Sequence, residues 1–351
     1  MGPGAIVVIG AASENIFSLA PQGLKEAVLA EPLECIEILG RSVADRMIER
    51  FAGAEAELVS VLVQAGSFRG KPFSSTLRNV ECEVVADMNS AILHTLKNHA
   101  QRGIGHSFVA AGNVFAETDV LDLFYFHREG RRAATQARNR DGLMDLWVVN
   151  CEKAQQGDLD KLPETAAKNG PAYFVREYVN RLNYPQDLRR MASDLLRGCC
   201  GSRPAGREVK RGIWLDEGAQ VDRRARIVAP AYIGRGATLR EDTLLTRCSN
   251  IEEGCYIDYG TVIEDSSILK NTHVGIWLDV CQAVAEGNKL VSLKRDTVLE
   301  ITDASVLRST VKKPVTEAAL TRIPQRSVVT QKEERLPGQD TCGLEANFIQ
   351  G

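Results

Sequence analysis

The chain lacks any apolar run approaching a membrane span, any excess of charge of one sign, and any Cys-x-x-Cys pair. The first absence excludes a polytopic helical membrane protein. The second, 43 basic against 46 acidic residues for a net charge of -3, removes a global pull toward nucleic acid or anionic lipid, so neither a nucleic-acid nor a membrane partner is expected. Nine cysteines, an odd number without paired spacing, read as reduced thiols and not as a disulfide frame or zinc site, and no metal centre is expected from them. Met1 to Ala12 carries no basic segment and no cleavage signature after it, so secretion is not indicated and the cytoplasm is the expected compartment.

What remains is ordinary in bulk. The 351 residues are 44% apolar and 25% charged, enough for two domains with separate cores and unlike a disordered or collagenous chain.

One internal repeat stands out. Every sixth residue from Leu215 is aliphatic: Leu215, Val221, Ile227, Ile233, Leu239, Leu245, Ile251, Ile257, Ile263 and Leu269. Four residues after each of the first nine comes a small residue: Ala219, Ala225, Ala231, Ala237, Thr243, Ser249, Cys255, Thr261 and Ser267. A unit of that length with one large and one small inward position suits a short strand and a tight corner, and three units close a triangular coil of eighteen residues. Cys255 falls in the small column, where packing is its expected task. Beyond Leu269 the count reaches His273 at the small position and Gly275 at the aliphatic one, so His273 to Ser309 is read as irregular closing coils.

The N-terminal half alternates. Ala5–Ile9 reads as a buried strand, Arg41–Phe51 as a helix, Ala56–Gln64 as a strand, Ala91–Arg102 as a helix, Ser107–Ala111 as extended, Asp119–Phe126 as a helix and Trp147–Asn150 as a strand. Such alternation argues for a doubly wound, mainly parallel, Rossmann-like sheet whose ligands sit beyond the carboxyl ends of strands, near Gly10 and Gly112.

An α/β domain followed by a hexapeptide coil, with PLECIEILGRSVADRMIERF after the first strand and FVAAGNVFAETDVLDLFYFHREGRRAAT further on, resembles the sugar nucleotidyltransferases of the GDP-mannose or glucose-1-phosphate type over roughly residues 5 to 309. The resemblance implies a left-handed parallel β-helix for the coil and, for the family's chemistry, a Gly-rich phosphate loop, a charge-neutralising Lys and two Asp holding Mg²⁺. It places the nucleotide on Gly10, Ala11, Ala12, Ser13, Asn15, Asn89 and Gly112, and the two metal positions on Asn113 and Arg181.

At five places the chain departs from that pattern. Asn15 stands for the loop Arg beside Glu14, Glu31 precedes Pro32-Leu33 where the Lys belongs, Asn113 and Arg181 replace both metal carboxylates, and the base-recognition turn is reduced to Asp87–Ala91. Each lost charge weakens transfer by on the order of 2 to 4 kcal/mol, which argues against ordinary Mg²⁺-dependent pyrophosphorylase activity. Mg²⁺ re-enters only if the correspondence slips and brings Glu14, Asp87 or Asp119 into the ligand set.

Two other groups draw notice. His273, the only coil histidine, would be the general base if the coil were an acyltransferase. His127 precedes Arg128, Arg131, Arg132, Arg138 and Arg140, a cluster suited to a phosphate or to solvent, and His94, His99 and His106 lack metal-ligand spacing. The expected organisation is an α/β domain over 1–197, a linker over 198–210, the coil over 211–309 and a tail over 310–351. The expected role lies in nucleotide-sugar metabolism, with a nucleotide sugar or sugar phosphate as ligand and a homo-oligomer or an active paralogue as partner. The alternatives are a non-catalytic regulatory or scaffold subunit and the acyltransferase working through His273.

Overall fold

The computed structural model describes residues 2–10, 29, 31–67, 79–154, 166, 170–311 and 334–335. Its first half is built on a seven-stranded mixed sheet. In chain order the strands and helices are β1 (Gly4–Ile9), α1 (Val43–Gly53), β2 (Leu58–Gln64), β3 (Val80–Val85), α2 (Met88–Gln101), β4 (His106–Ala111), β5 (Val114–Ala116), α3 (Val120–Glu129), β6 (Ala134–Asn139), β7 (Gly142–Asn150), α4 (Cys151–Ala154), β8 (Tyr173–Phe174), β9 (Val179–Arg181) and α5 (Pro185–Arg197). Across the sheet the order is β8-β6-β7-β4-β1-β2-β3, with β5 and β9 forming a separate antiparallel ribbon.

The order follows from which residues are apolar on which face. β1, β2 and β4 are buried along almost their whole length and pair in parallel, as strands covered on both sides do. Val7, Ile9, Val61 and Phe108 lie in the core that takes in α1, whereas Ile6, Val8, Leu62 and Val109 lie in the core under α2. The connection from β1 to β2 therefore runs over one face and that from β3 to β4 over the other, so the carboxyl ends of β1 and β4 part from each other and leave a crevice. α1 starts where Ser42 accepts from the Asp45 amide, and Met47, Ile48 and Phe51 bury one side of it. The antiparallel β7 extends the parallel part of the sheet through its pairing with β4.

The repeat region forms three ladders. Leu215 pairs with Ile233, Leu239 with Ile257 and Leu245 with Ile263, each a parallel step of eighteen residues. The next steps are Ile251 to Ile268, Ile257 to Val274 and Ile263 to Val280, each of seventeen. One unit, Ile263 to Ile268, is thus a residue short. Its corner shows the omission: the left-handed corner residues run Gly254, Gly260, Asp265, Asn271 and Trp277. The expected tenth aliphatic, Leu269, is consequently not an inward coil residue. Ile268 fills the coil core while Leu269 packs with the α/β domain, and Ser266 rather than Ser267 takes the small position. The repeat does not fail there; a count of six carried past a unit of five reads one residue late. Thr272 and Val274 occupy the places that the count assigned to His273 and Gly275.

Small inward residues do more than leave room. Thr261 Oγ1 donates to the Gly275 carbonyl at 2.6 Å, Ser266 Oγ accepts from the Ala283 amide at 3.1 Å, and Thr272 Oγ1 accepts from the Gly287 amide at 2.8 Å. The hydroxyls satisfy backbone groups that the corners take out of the ladders. Cys255 is buried in this column, as its register predicts, and its thiol donates to the Leu269 carbonyl at 3.0 Å.

The connection between the halves is shorter than the sequence implies. α5 ends at Arg197, and Arg207–Lys210 is already a strand paired antiparallel with Ile213–Leu215, leaving 198–206 as the irregular segment. The halves pack closely. Glu252 of the coil, fully buried, accepts from the amides of Leu39 and Gly40 at 2.8 and 3.0 Å and from the Asn250 side chain at 2.6 Å. Arg189 of α5 reaches the Arg247 carbonyl and Asp265 at 3.1 and 3.0 Å. Within the described residues no helix is long and apolar enough to cross a membrane.

Candidate functional site

The point where the connections of β1 and β4 diverge falls at Gly10 and Gly112. Gly10 is in the left-handed region at φ 71°, and its amide donates to Glu34 Oε1 at 2.8 Å. Gly112 donates to the Val8 carbonyl at 2.7 Å, and a Cβ on it would stand 3.2 Å from the Glu34 side chain. Glu34 sits on the short 3-10 turn Leu33–Cys35 and is buried, so its carboxyl is pushed above the usual carboxylate range by burial, with the Gly10 amide opposing. The acceptor that an exposed loop amide would take from a ligand is here supplied by a side chain of the protein itself.

β5 and β9 carry the second group. Arg181 pairs with Val114, and the Leu182 amide donates to the Asn113 carbonyl at 2.8 Å, which brings the neighbourhoods of Asn113 and Arg181 together. The Arg181 guanidinium is anchored by the Asn139 side chain and the Gly142 carbonyl, both at 3.0 Å. It faces Asp145, whose carboxyl is raised to about 7 by burial, with Arg181 opposing the rise. Asp145 precedes Leu146, the partner of Ala110, and so lies at the carboxyl end of β4.

Glu34 and Asp145 are the site residues that the sequence reading missed. Asp145 had a faint signal, a lone carboxylate within the apolar segment LMDLWVV; Glu34 shares PLECIEIL with a second acid, Glu37, and had less. A buried acid is rare without a partner or a task.

The remaining expected residues fall as follows. Ala11, Ala12, Ser13, Glu14 and Asn15 lie outside the described residues. Asn89 is in the first turn of α2, its amide bound by Asp87 at 3.2 Å. Asp87 and Asp119, the acids that a slipped correspondence would recruit for Mg²⁺, are the N-caps of α2 and α3. Caps of this kind hold amide protons and stabilise the helix start. The residues at the two metal positions do not suit a hard cation: Asn113 is neutral, and Arg181 brings a guanidinium that acts on the Asp145 carboxyl. Among the described residues no cluster of three or more His, Cys, Asp or Glu is placed to hold a metal.

His273 is on the outer side of the coil. Its ring stacks on Tyr256 at 5.5 Å, Nε2 is 3.6 Å from Asp258, and the antiparallel strand Leu307–Ser309 covers it, leaving 6% exposed. Burial and Arg308 lower its pKa against the opposing Asp258. His127 is buried and bonded to Thr135 at 2.8 Å, and Arg128, Arg132 and Arg138 lie over Phe124, Phe126 and Phe174. That cluster is laid along aromatic rings. His99 bridges Ser60 and Ser107 at 3.1 and 2.8 Å inside the α2 core.

No known family model matches the chain, and no curated protein is detectably similar to it.

Proposed function

We propose that this protein is a sugar-nucleotidyltransferase-like binder of a nucleotide sugar or sugar phosphate that does not carry out ordinary Mg²⁺-dependent pyrophosphorolysis, and that its coil is a left-handed parallel β-helix. The observation that carries the reading is the Glu34 carboxylate on the Gly10 amide at the split between β1 and β4. Strand order and crevice suit a nucleotide, as in other open α/β sheets. The Glu34 carboxyl already occupies the Gly10 amide and stands close against Gly112, so a triphosphate that needs that amide must displace it at a cost. A ligand with fewer phosphates, or with a sugar hydroxyl at that point, escapes most of that cost.

Titration calorimetry with GTP, UTP, GDP-mannose and glucose 1-phosphate, with and without Mg²⁺, tests the reading together with a pyrophosphate-release assay. Binding of a sugar nucleotide or sugar phosphate, little affected by Mg²⁺ and without turnover, supports it; metal-dependent release of pyrophosphate contradicts it. A regulatory or scaffold subunit is the second reading, favoured by the buried Glu252 latch that ties the crevice-bearing half to the coil. An acyltransferase centred on His273 has less support, since the ring is stacked and covered.

A further inference from the structure

The two ends of the coil are finished differently. At the far end Val274 and Val280 are buried, and Leu307, from the strand that folds back antiparallel, joins the same core. Ala283–Glu286 continues into the antiparallel strands Lys289–Ser292 and Thr297–Glu300. At the near end, among the described residues, the antiparallel strand Arg207–Lys210 closes only the ladder of Ile213–Leu215 and no strand closes the other two. Leu215, Ala219, Val221, Ala225 and Ile227 are half-exposed, whereas Ile233, Ala237, Leu239, Thr243 and Leu245, eighteen residues on, are at most 2% exposed. Among the described residues, Gln220–Val221 and Arg226–Ile227 are the terminal strands of their ladders, so each offers one unpaired edge. A hollow of about 460 Å³ opens there beside Leu215, Asp216 and Ala219. Val209 and Val228, among the few large apolar side chains that are well exposed, flank the same end at 39% and 44%.

We propose that this open end is an interface, and that its occupant is the same end of a second copy of this chain, related by a two-fold axis. Charge points to a self-complementary match. Exposed acids, Glu217 and Asp222, and exposed bases, Arg207, Arg223 and Arg226, lie on the segments of this end, so the surface carries both signs, as a self-complementary face requires. Capping of the far end rules against a head-to-tail arrangement, which would need both ends open to continue. In the two-fold pair, the edges of Gln220–Val221 and Arg226–Ile227 find partners and the half-exposed aliphatics close into one continuous core. Three short strands make a contact smaller than a standard interface of about 800 Å² per partner, so the dimer is reversible, with a dissociation constant on the order of micromolar.

The inference is independent of nucleotide binding. Its test is sedimentation velocity on the full chain from about 1 to about 100 µM, combined with hydrogen exchange at both extremes. The expected result is a monomer–dimer equilibrium, with slower exchange at high concentration in peptides covering 207–229. Val209→Lys with Val228→Lys, on exposed positions that leave the coil core intact, is expected to weaken the dimer at least roughly tenfold. Trp277→Ala, at another exposed apolar corner, leaves it unchanged. A monomer throughout, a dimer with unchanged exchange over 207–229, or a dimer that survives the double lysine variant overturns the proposal.

Discussion

Glu252 makes the latch between the two halves titratable, and the Glu252→Gln variant exposes it. Burial raises its carboxyl from 4.5 to about 7, against three hydrogen bonds that favour the ionised form. The sign is fixed by comparing proton uptake in the two states. Between pH 4.5 and 7 the folded protein holds a proton on Glu252 that the unfolded chain has released, so stability falls as pH rises through that window and is flat above it. A rise of that size corresponds to about 3 kcal/mol of extra stability at pH 4.5 relative to pH 8. Other groups work in the opposite direction. His99, held near 4, and His127, held near 3, are both lowered by burial and withdraw stability as pH falls below 6.5. The informative quantity is therefore the difference between wild type and Glu252→Gln, in which the histidines cancel. Urea unfolding of both proteins at pH 5 and pH 8 measures it. Wild type should gain about 2 to 3 kcal/mol over the glutamine variant on going to pH 5. Parallel midpoints at the two pH values would refute the buried, proton-linked latch.

Four further outcomes follow from particular contacts. Glu34→Ala frees the Gly10 amide that the carboxyl occupies, so affinity for inorganic pyrophosphate, read by calorimetry, should rise at least about tenfold. Arg181→Ala strips Asp145 of its neighbouring cation and frees the turn at Asn139 and Gly142, and should cost about 2 to 4 kcal/mol by chemical denaturation. Gly4→Ala would place a Cβ 2.6 Å from the His99 ring, an overpacking expected to cost about 1 to 3 kcal/mol in unfolding free energy and to lower the melting temperature. Cys255→Ala, if that residue only packs and donates to Leu269, should lower stability by about 1 to 2 kcal/mol and leave ligand heats unchanged.

The architecture was largely legible because its signals are periodic. Aliphatics at a spacing of six residues disclosed the coil, and alternating apolar segments disclosed the sheet, since inward positions recur with the geometry that buries them. The shortened unit at Asp265 was not legible: Ile268 and Leu269 are both large and aliphatic, so composition does not say which one faces inward. Only pairing with Ile251 decides it, and that is a contact seventeen residues away.

The site was harder to read for a similar reason. Gly10 and Gly112 stand at strand ends and could be placed from local pattern, but Glu34 reaches the crevice from a separate turn and Asp145 from an antiparallel strand. Neither belongs to the short motif around the residue it touches. Asp87 and Asp119 illustrate the converse: as acids near glycines and apolar runs they resembled metal ligands, and their bonds to helix amides make them caps.

The most direct measurement of the central claim is calorimetric titration of the wild-type protein with GDP-mannose and with glucose 1-phosphate, run with and without Mg²⁺ while released pyrophosphate is assayed. Saturable heat for at least one of them, little changed by the metal and with no pyrophosphate formed from the matching triphosphate and sugar phosphate, is the predicted result. Pyrophosphate formation that depends on Mg²⁺, or no heat with either ligand, would contradict the account.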